Sequence, residues 1–265
     1  MDEASWHGRV TPAVAVSETI ELRAILRTGG GTAASPFLGK CDDSANWWIK
    51  PPVPGMTKAL VSEWVVGRLG HLIGAPVCQV ALVRIPEALL PCEFSPGRPL
   101  VAGIGCGSRD LEGTPTEKKG QLEHRESDDN RRRHAGVYAL VDWFFGNDLQ
   151  WLHDVADDWT LYSHDHGWYL PPDGADWTTD QLRATADQAC APTGDAAGID
   201  DGELTRLAGA LDSLTPEQIA EVLRSVPAEW GATAEDLQCL GAFLEHRATH
   251  VAERLRNLGG MKVTA

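Results

Sequence analysis

Apolar positions come in short strand-like runs and one helical stripe over the first 105 residues, and settle into helical stripes beyond residue 200. Residues 18–26, ETIELRAIL, read as a strand entering a turn, and GGGTAA at 29–34 offers three consecutive glycines that permit tight turns and close backbone approach. The apolar run NWWIK at 46–50 is halted by Pro51-Pro52, which suits a buried strand with Lys50 at its end. Over 57–73, Leu60, Trp64, Val65, Leu69 and Leu72 recur at spacings near three and four, one stripe of a helix with Glu63 beside it. A strand over 76–83, a loop over 86–99 and an apolar strand over 100–104 follow. The polar stretch 109–134 reads as a long excursion or link, and AGVYALVDWFF at 135–145 as an apolar helix stopped by Gly146. Alternation over 159–164 predicts a strand that Asp165-His166-Gly167 ends in a polar turn, so that Asp148 and Asp165 flank a hairpin. Thr215-Pro216-Glu217-Gln218 caps one late helix, and another opens at Thr233 with Leu237, Leu240, Leu244, Val251 and Leu255 on one face.

Length changes this picture little: 265 residues, 43% of them hydrophobic, make one large domain, or one plus a lobe. Folding buries roughly 70–75% of the extended-chain surface at this size, so the fold needs neither metal nor disulfides. Charge is more selective. Against 38 Asp and Glu stand 23 Lys and Arg, a net −15 at pH 7, and such a field argues against nucleic acid and anionic membranes as partners. A nucleotide is compatible with it, since a local positive pocket or a bridging divalent cation suffices. Six cysteines, at 41, 78, 92, 106, 190 and 239, form no CxxC or CxxH pair, so free thiols in a reducing cytoplasm are expected. The N-terminus has no apolar leader and no long charge-free span occurs, which also points to the cytoplasm. Sequence anchors of hydrolase triads, zincins and P-loop enzymes are absent.

Several residues carry candidate chemistry. Lys50 on a strand and Glu63 on the next helix can pair across a cleft and fix an ammonium for phosphate contact; otherwise Lys50 snorkels at a sheet rim and Glu63 is a solvated helix carboxylate. The glycine turn either covers phosphates or is a surface hairpin, and Arg131-Arg132-Arg133-His134 is either a solvated helix start or a contact for phosphate or an acidic partner. Residues 151–200 hold ten aspartates against one arginine, a density that calls for solvent or cations. Asp165, at a strand end, suits a hard divalent cation, and Asp148, behind an apolar helix, suits alignment of a hydroxyl or acceptance of its proton. His164 and His166 share a strand face, where they either bind a transition metal or form an ordinary hydrogen-bonded pair.

Taken in order, Trp48-Ile49-Lys50-Pro51, then Lys58-Ala59-Leu60-Val61-Ser62-Glu63-Trp64 with Arg68-Leu69 and Leu72-Ile73-Gly74-Ala75-Pro76, Asp165-His166-Gly167, and Pro227-Ala228-Glu229-Trp230 resemble the HipA-like kinase family, an offshoot of the protein-kinase-like fold. The resemblance spans roughly 18–256 and implies a bilobal α/β (α+β) fold. Residues 1–120 would form a small mixed-sheet, nucleotide-binding lobe and 121–265 a mainly helical catalytic lobe. It implies ATP with Mg²⁺, or Mn²⁺ in its place, held between the lobes. Lys50 would contact the phosphates and Glu63 pair with it, while Gly30, Gly31, Thr32 and Ser35 would line the phosphate turn. Asp148 would be the catalytic aspartate, and Asp165 the metal aspartate where most kinases have Asp-Phe-Gly. The family's asparagine for a second metal contact falls on His153, or on Asp154 if the loop is shifted by one, and its arginine after the catalytic aspartate is Leu149 here. The implied reaction is transfer of the γ-phosphoryl group to a hydroxyl of a protein or small molecule, the chain's acidity favouring a basic peptide. The alternatives are a nucleotide-binding pseudokinase acting as a regulator or scaffold, and a kinase-shaped domain adapted to another transfer.

Overall fold

A computed structural model describes residues 1–28, 35–53, 55–111, 115–119, 123–146, 148–171, 176–190 and 198–261. Its first half is built on a five-stranded closed barrel. The strands are β1 (Ile20–Thr28), β2 (Phe37–Cys41), β3 (Asn46–Lys50), β4 (Val80–Ile85) and, after a small hairpin of β5 (Glu93–Ser95) and β6 (Arg98–Pro99), β7 (Gly103–Arg109). They follow the order β1-β2-β3-β7-β4, and a short parallel pairing of Ile20 with Val83 closes the ring. Alternation along each strand sends one side chain in two inward, so Leu22, Phe37, Trp47, Ile49 and Val83 form the core of the barrel. Gly39 keeps that core closed: a Cβ there would stand 2.5 Å from Leu22 Cδ1 and 2.7 Å from Ile49 Cδ1.

Between β3 and β4 runs α1 (Thr57–Leu72), and its apolar stripe, Leu60, Trp64, Val65 and Leu69, belongs to the second and larger core. That core is shared with α2 (Asn130–Phe144), α3 (Thr179–Thr185), α4 (Asp201–Asp212), α5 (Pro216–Arg224) and α6 (Ala234–Met261). Both Thr178 and Thr215 make the reciprocal capping box with a glutamine three residues on, each worth about 1 kcal/mol to its helix. A second sheet of order β10-β9-β8 lies between α2 and α3 in sequence and reaches back for its edge strand: β8 (Pro115–Lys119), β9 (Gln150–Asp154) and β10 (Thr160–Ser163).

The two lobes are fastened through α1. At its start Lys58 Nζ donates to Asp236 Oδ1 at 3.1 Å and to the Trp177 carbonyl at 3.0 Å. Midway Trp64 Nε1 donates to Ser225 Oγ at 2.8 Å, and beyond its end Arg206 caps the carbonyls of Ile73 and Gly74 at 3.0 and 3.1 Å. Glu229 and Trp230 add a buckle at β7: Glu229 accepts from the Ile104 N–H, and Trp230 Nε1 donates to the Ile104 carbonyl at 2.7 Å.

The bilobal α+β architecture expected from the sequence is the one observed. Two details differ. The excursion expected over 109–134 contains β8, which pairs with β9 beyond the boundary placed at residue 120, and its last residues already belong to α2. Trp6 likewise packs fully buried against α6, its Nε1 donating to Glu245 at 2.6 Å. All six cysteines are free, and among the described residues no helix is long and apolar enough to cross a membrane.

Candidate active site

Lys50 is the last residue of β3. Its neighbours Trp47 and Ile49 fix the strand's inward face, and the side chain reaches out of the barrel toward α1. There Nζ bridges two carboxylates, Glu63 Oε1 from α1 and Asp165 Oδ1 from the turn after β10. The three side chains are only 13%, 7% and 22% exposed, so the contact is largely screened from water. Glu63 Oε1 also accepts from the Gly167 N–H at 2.7 Å. Gly167 permits that approach, because a Cβ would stand 3.2 Å from Glu63 Oε1 and 3.5 Å from Ala59 Cβ. Asp165 itself is left-handed, with φ +58°, a conformation aspartate tolerates better than most residues and one that turns the chain sharply into the 3-10 turn His166–Trp168.

Electrostatics follow from one ammonium shared by two buried carboxylates. Burial alone would lower the Lys50 pKa, but the charges of Glu63 and Asp165 outweigh it and hold the ammonium above its ordinary value. Burial pushes Glu63 up, and the nearby Asp165 charge adds to that against the pull of Lys50. For Asp165 burial again acts upward, yet Lys50, then His164 and His166, bring it well below the usual carboxylate range. One ammonium between two carboxylates thus lies beside a small pocket, of about 20 Å³, whose walls include Val53, Met56, Ala59 and Trp168 as well as Lys50 and Asp165.

Asp148 lies on the chain entering β9, at the same end of the β9–β10 hairpin as Asp165, where the His164 N–H donates to the Gln150 carbonyl at 3.2 Å. Its Oδ2 accepts from Gln150 Nε2 at 2.7 Å. The buried Tyr169 hydroxyl, raised first by burial, also feels the charges of Asp148 and Glu63. Gln150 escaped the sequence reading; the available signal was an amide two residues after the aspartate, at a position that proves to be strand.

The other predicted residues fare differently. Gly30, Gly31 and Thr32 lie outside the described residues. Ser35 is buried and accepts from Arg98 at 2.6 Å, so its hydroxyl serves the β5–β6 hairpin rather than an open phosphate turn. His153 and Asp154 are not brought to Asp165. Ser163 faces Trp151 across the hairpin, which puts His153 about 7 Å and Asp154 about 10 Å further along β9, away from the Asp165 end. The His153 ring is buried edge-on to His124 at 5.1 Å, and Asp154 accepts from the Ala156 N–H within the hairpin turn. The two histidines do not share a strand face, since β10 ends at Ser163 and His166 opens the 3-10 turn; His166 is buried and bonded to Ser163 Oγ at 2.8 Å, its pKa pushed down by burial to about 3. The Arg131–133 run is paired with carboxylates: Arg131 with Glu126, Arg132 with Glu203 at 3.1 Å and Arg133 with Asp128 at 2.9 Å.

Comparison with known proteins agrees with this architecture. A family model described as HipA-like kinase matches residues 22–151. Among solved structures, the Helicobacter pylori proinflammatory kinase CtkA is similar with a TM-score of 0.61 at 12% identity, over 93% of this chain and 100% of that one. A Golgi casein kinase superposes with a TM-score of 0.48 at 11% identity, over 97% of this chain and 75% of that one. No curated protein matches the chain. The fold is protein-kinase-like.

Proposed function

We propose that this chain is an ATP- and Mg²⁺-dependent phosphotransferase that moves the γ-phosphoryl group to a hydroxyl of a protein or small molecule. The observation that carries the reading is Lys50, buried between the lobes of a kinase-like fold and bridged to Glu63 and Asp165. Glu63, on a helix fastened at both ends, holds the ammonium in place to meet phosphate oxygens as a charge-assisted donor. Asp165 offers an ionised, hard carboxylate oxygen, which fits Mg²⁺ or Mn²⁺. When bound, such a cation supplies neutralisation of phosphate charge. Asp148, its carboxylate steadied by Gln150, aligns the acceptor hydroxyl and takes its proton as the oxygen attacks in line. The nucleotide lobe is proposed to be residues 1–120, save that β8 and Trp6 pack with the second, and the acceptor lobe 121–265, with a basic peptide the favoured acceptor on an acidic molecule.

A second reading, nucleotide binding without transfer, draws on the place of His153 and Asp154 in β9 and on Leu149 in place of an arginine donor. One experiment separates the two. Full-length protein is incubated with ATP and Mg²⁺ across protein and small-molecule acceptors, and ADP release is followed together with nucleotide-induced thermal shifts. Phosphotransfer predicts ADP release that falls at least about 100-fold in Asp148→Asn and Asp165→Asn. A thermal shift with no turnover on any acceptor supports the second reading, and no shift with either cation sinks both.

A further inference from the structure

Where α6 meets the chain just past α3 stands a group of side chains that the phosphoryl-transfer chemistry does not use. We propose that Asp187, His246 and His250 form a binding site for one borderline transition-metal ion of the Zn²⁺ class. His246 and His250 are one turn apart on α6, so both rings leave the same face of the helix, their centroids 4.5 Å apart. Asp187, just past α3, meets them there: its Oδ1 lies 2.6 Å from His246 Nε2, and one ligand atom from each residue falls within 4.8 Å of the others.

The arrangement is held from behind. Arg247, fully buried and next to His246, donates to the carbonyls of Thr185, Ala186 and Gln188 at 3.0, 3.2 and 2.6 Å, and so grips the chain on both sides of Asp187. Its other nitrogens donate to Trp143 and Asp142, anchoring the grip in α2. The tautomer of His250 is fixed in the same way. Nδ1 lies 2.9 Å from the His246 carbonyl, which can only accept, so Nδ1 carries the proton and Nε2 keeps its lone pair for a cation. At His246 the ion would take the place of the Nε2 proton now shared with Asp187, and that proton leaves to solvent.

Two imidazoles and one carboxylate are the ligands that Zn²⁺, Co²⁺ and Ni²⁺ prefer, whereas Mg²⁺ takes oxygen. With Asp187 82% exposed at its side chain, the fourth position faces water. Occupancy fastens residues 185–190 onto α6.

The test uses tag-free, full-length protein stripped with a chelator and titrated with Zn²⁺ against a chromogenic indicator, then with Co²⁺ in the visible. One equivalent of Zn²⁺ is expected, unaffected by millimolar Mg²⁺, with a Co²⁺ d–d band and no thiolate charge-transfer band. Asp187→Ala, His246→Ala and His250→Ala should each weaken binding by more than the roughly 10–100-fold that loss of an outer partner costs. The exposed Asp187 can be removed without touching the core, which guards against a variant that merely unfolds. No stoichiometric binding, equal binding in Asp187→Ala and His250→Ala, or a thiolate band would each overturn the assignment.

Discussion

Replacing Lys50 with methionine removes the one ammonium that Glu63 and Asp165 share and leaves two carboxylates, 7% and 22% exposed, beside each other. Breaking a buried ion pair by deleting one partner costs about 3–5 kcal/mol, because the remaining charge is neither hydrated nor compensated. Here two charges are stranded, so the upper part of that range is expected. Against a typical total of about 5–15 kcal/mol, the variant should fold but sit close to its limit. The loss should depend on pH with a definite sign. Burial and the Asp165 charge already raise Glu63, and without Lys50 its folded pKa rises further. A carboxyl whose folded pKa exceeds its unfolded value destabilises the protein above the unfolded pKa, about 4.3, and not below it. Urea unfolding followed by tryptophan fluorescence at pH 7 and pH 4 measures both effects. Adding Glu63→Gln to Lys50→Met should restore about 2 kcal/mol at pH 7 by removing one stranded charge. A loss under about 1 kcal/mol, or one that is the same at both pH values, would refute the shared-ammonium argument. Nucleotide binding by this variant therefore has to be read well below its own melting temperature.

Two further expectations concern stability away from the cleft. His134 and His166 are held neutral by burial, each pushed down to about 3, while the unfolded imidazole titrates near 6.5. The unfolded state thus binds protons first as pH falls below 6.5, and stability should drop by about 3 kcal/mol between pH 6.5 and 5 for the two together; a flat profile there would count against their burial. Gly241→Ala would place a methyl 2.2 Å from the ring of the buried Trp6 and should lower stability by about 1–3 kcal/mol, with Trp6→Leu in the same chain relieving part of the loss in thermal melts.

β3 was legible because its two faces differ, Trp47 and Ile49 alternating with less buried neighbours, and α1 because Leu60, Trp64 and Leu69 recur at helical spacing, although it is buried on every side from Ala59 to Gly67. β9 was legible only as the first arm of a hairpin between Asp148 and Asp165; its bounds were not, since Gln150, Trp151, His153 and Asp154 are all buried and polar residues at buried positions imitate a loop. β2 alternates in its burial, but Gly39 puts no apolar side chain on the inward face and so hides the pattern. In the candidate site, Lys50, Glu63 and Asp165 could be found from the order of strand, helix and turn. His153 was reached by counting five residues from Asp148, a count that holds only through a loop; β9 begins two residues after Asp148 and carries His153 away.

The position of Glu63 shows how the fold and the site depend on each other. Lys50 belongs to the barrel and Asp165 to the other lobe, so their meeting requires the lobes to keep one relation. α1 imposes it. Moving Glu63 away from Lys50 by turning this helix would break the Lys58–Asp236 pair, the Trp64–Ser225 bond and the Arg206 bonds to Ile73 and Gly74 together. Each is worth about 1 kcal/mol, and the apolar stripe they secure is worth more, at roughly 25 cal/mol per Å² of apolar surface. The Glu63–Lys50 contact is thus built in with the larger core, before any ligand arrives. Asp148 stands outside that set of bonds: among the described residues its side-chain hydrogen bond is the one from Gln150, two residues on in the same hairpin.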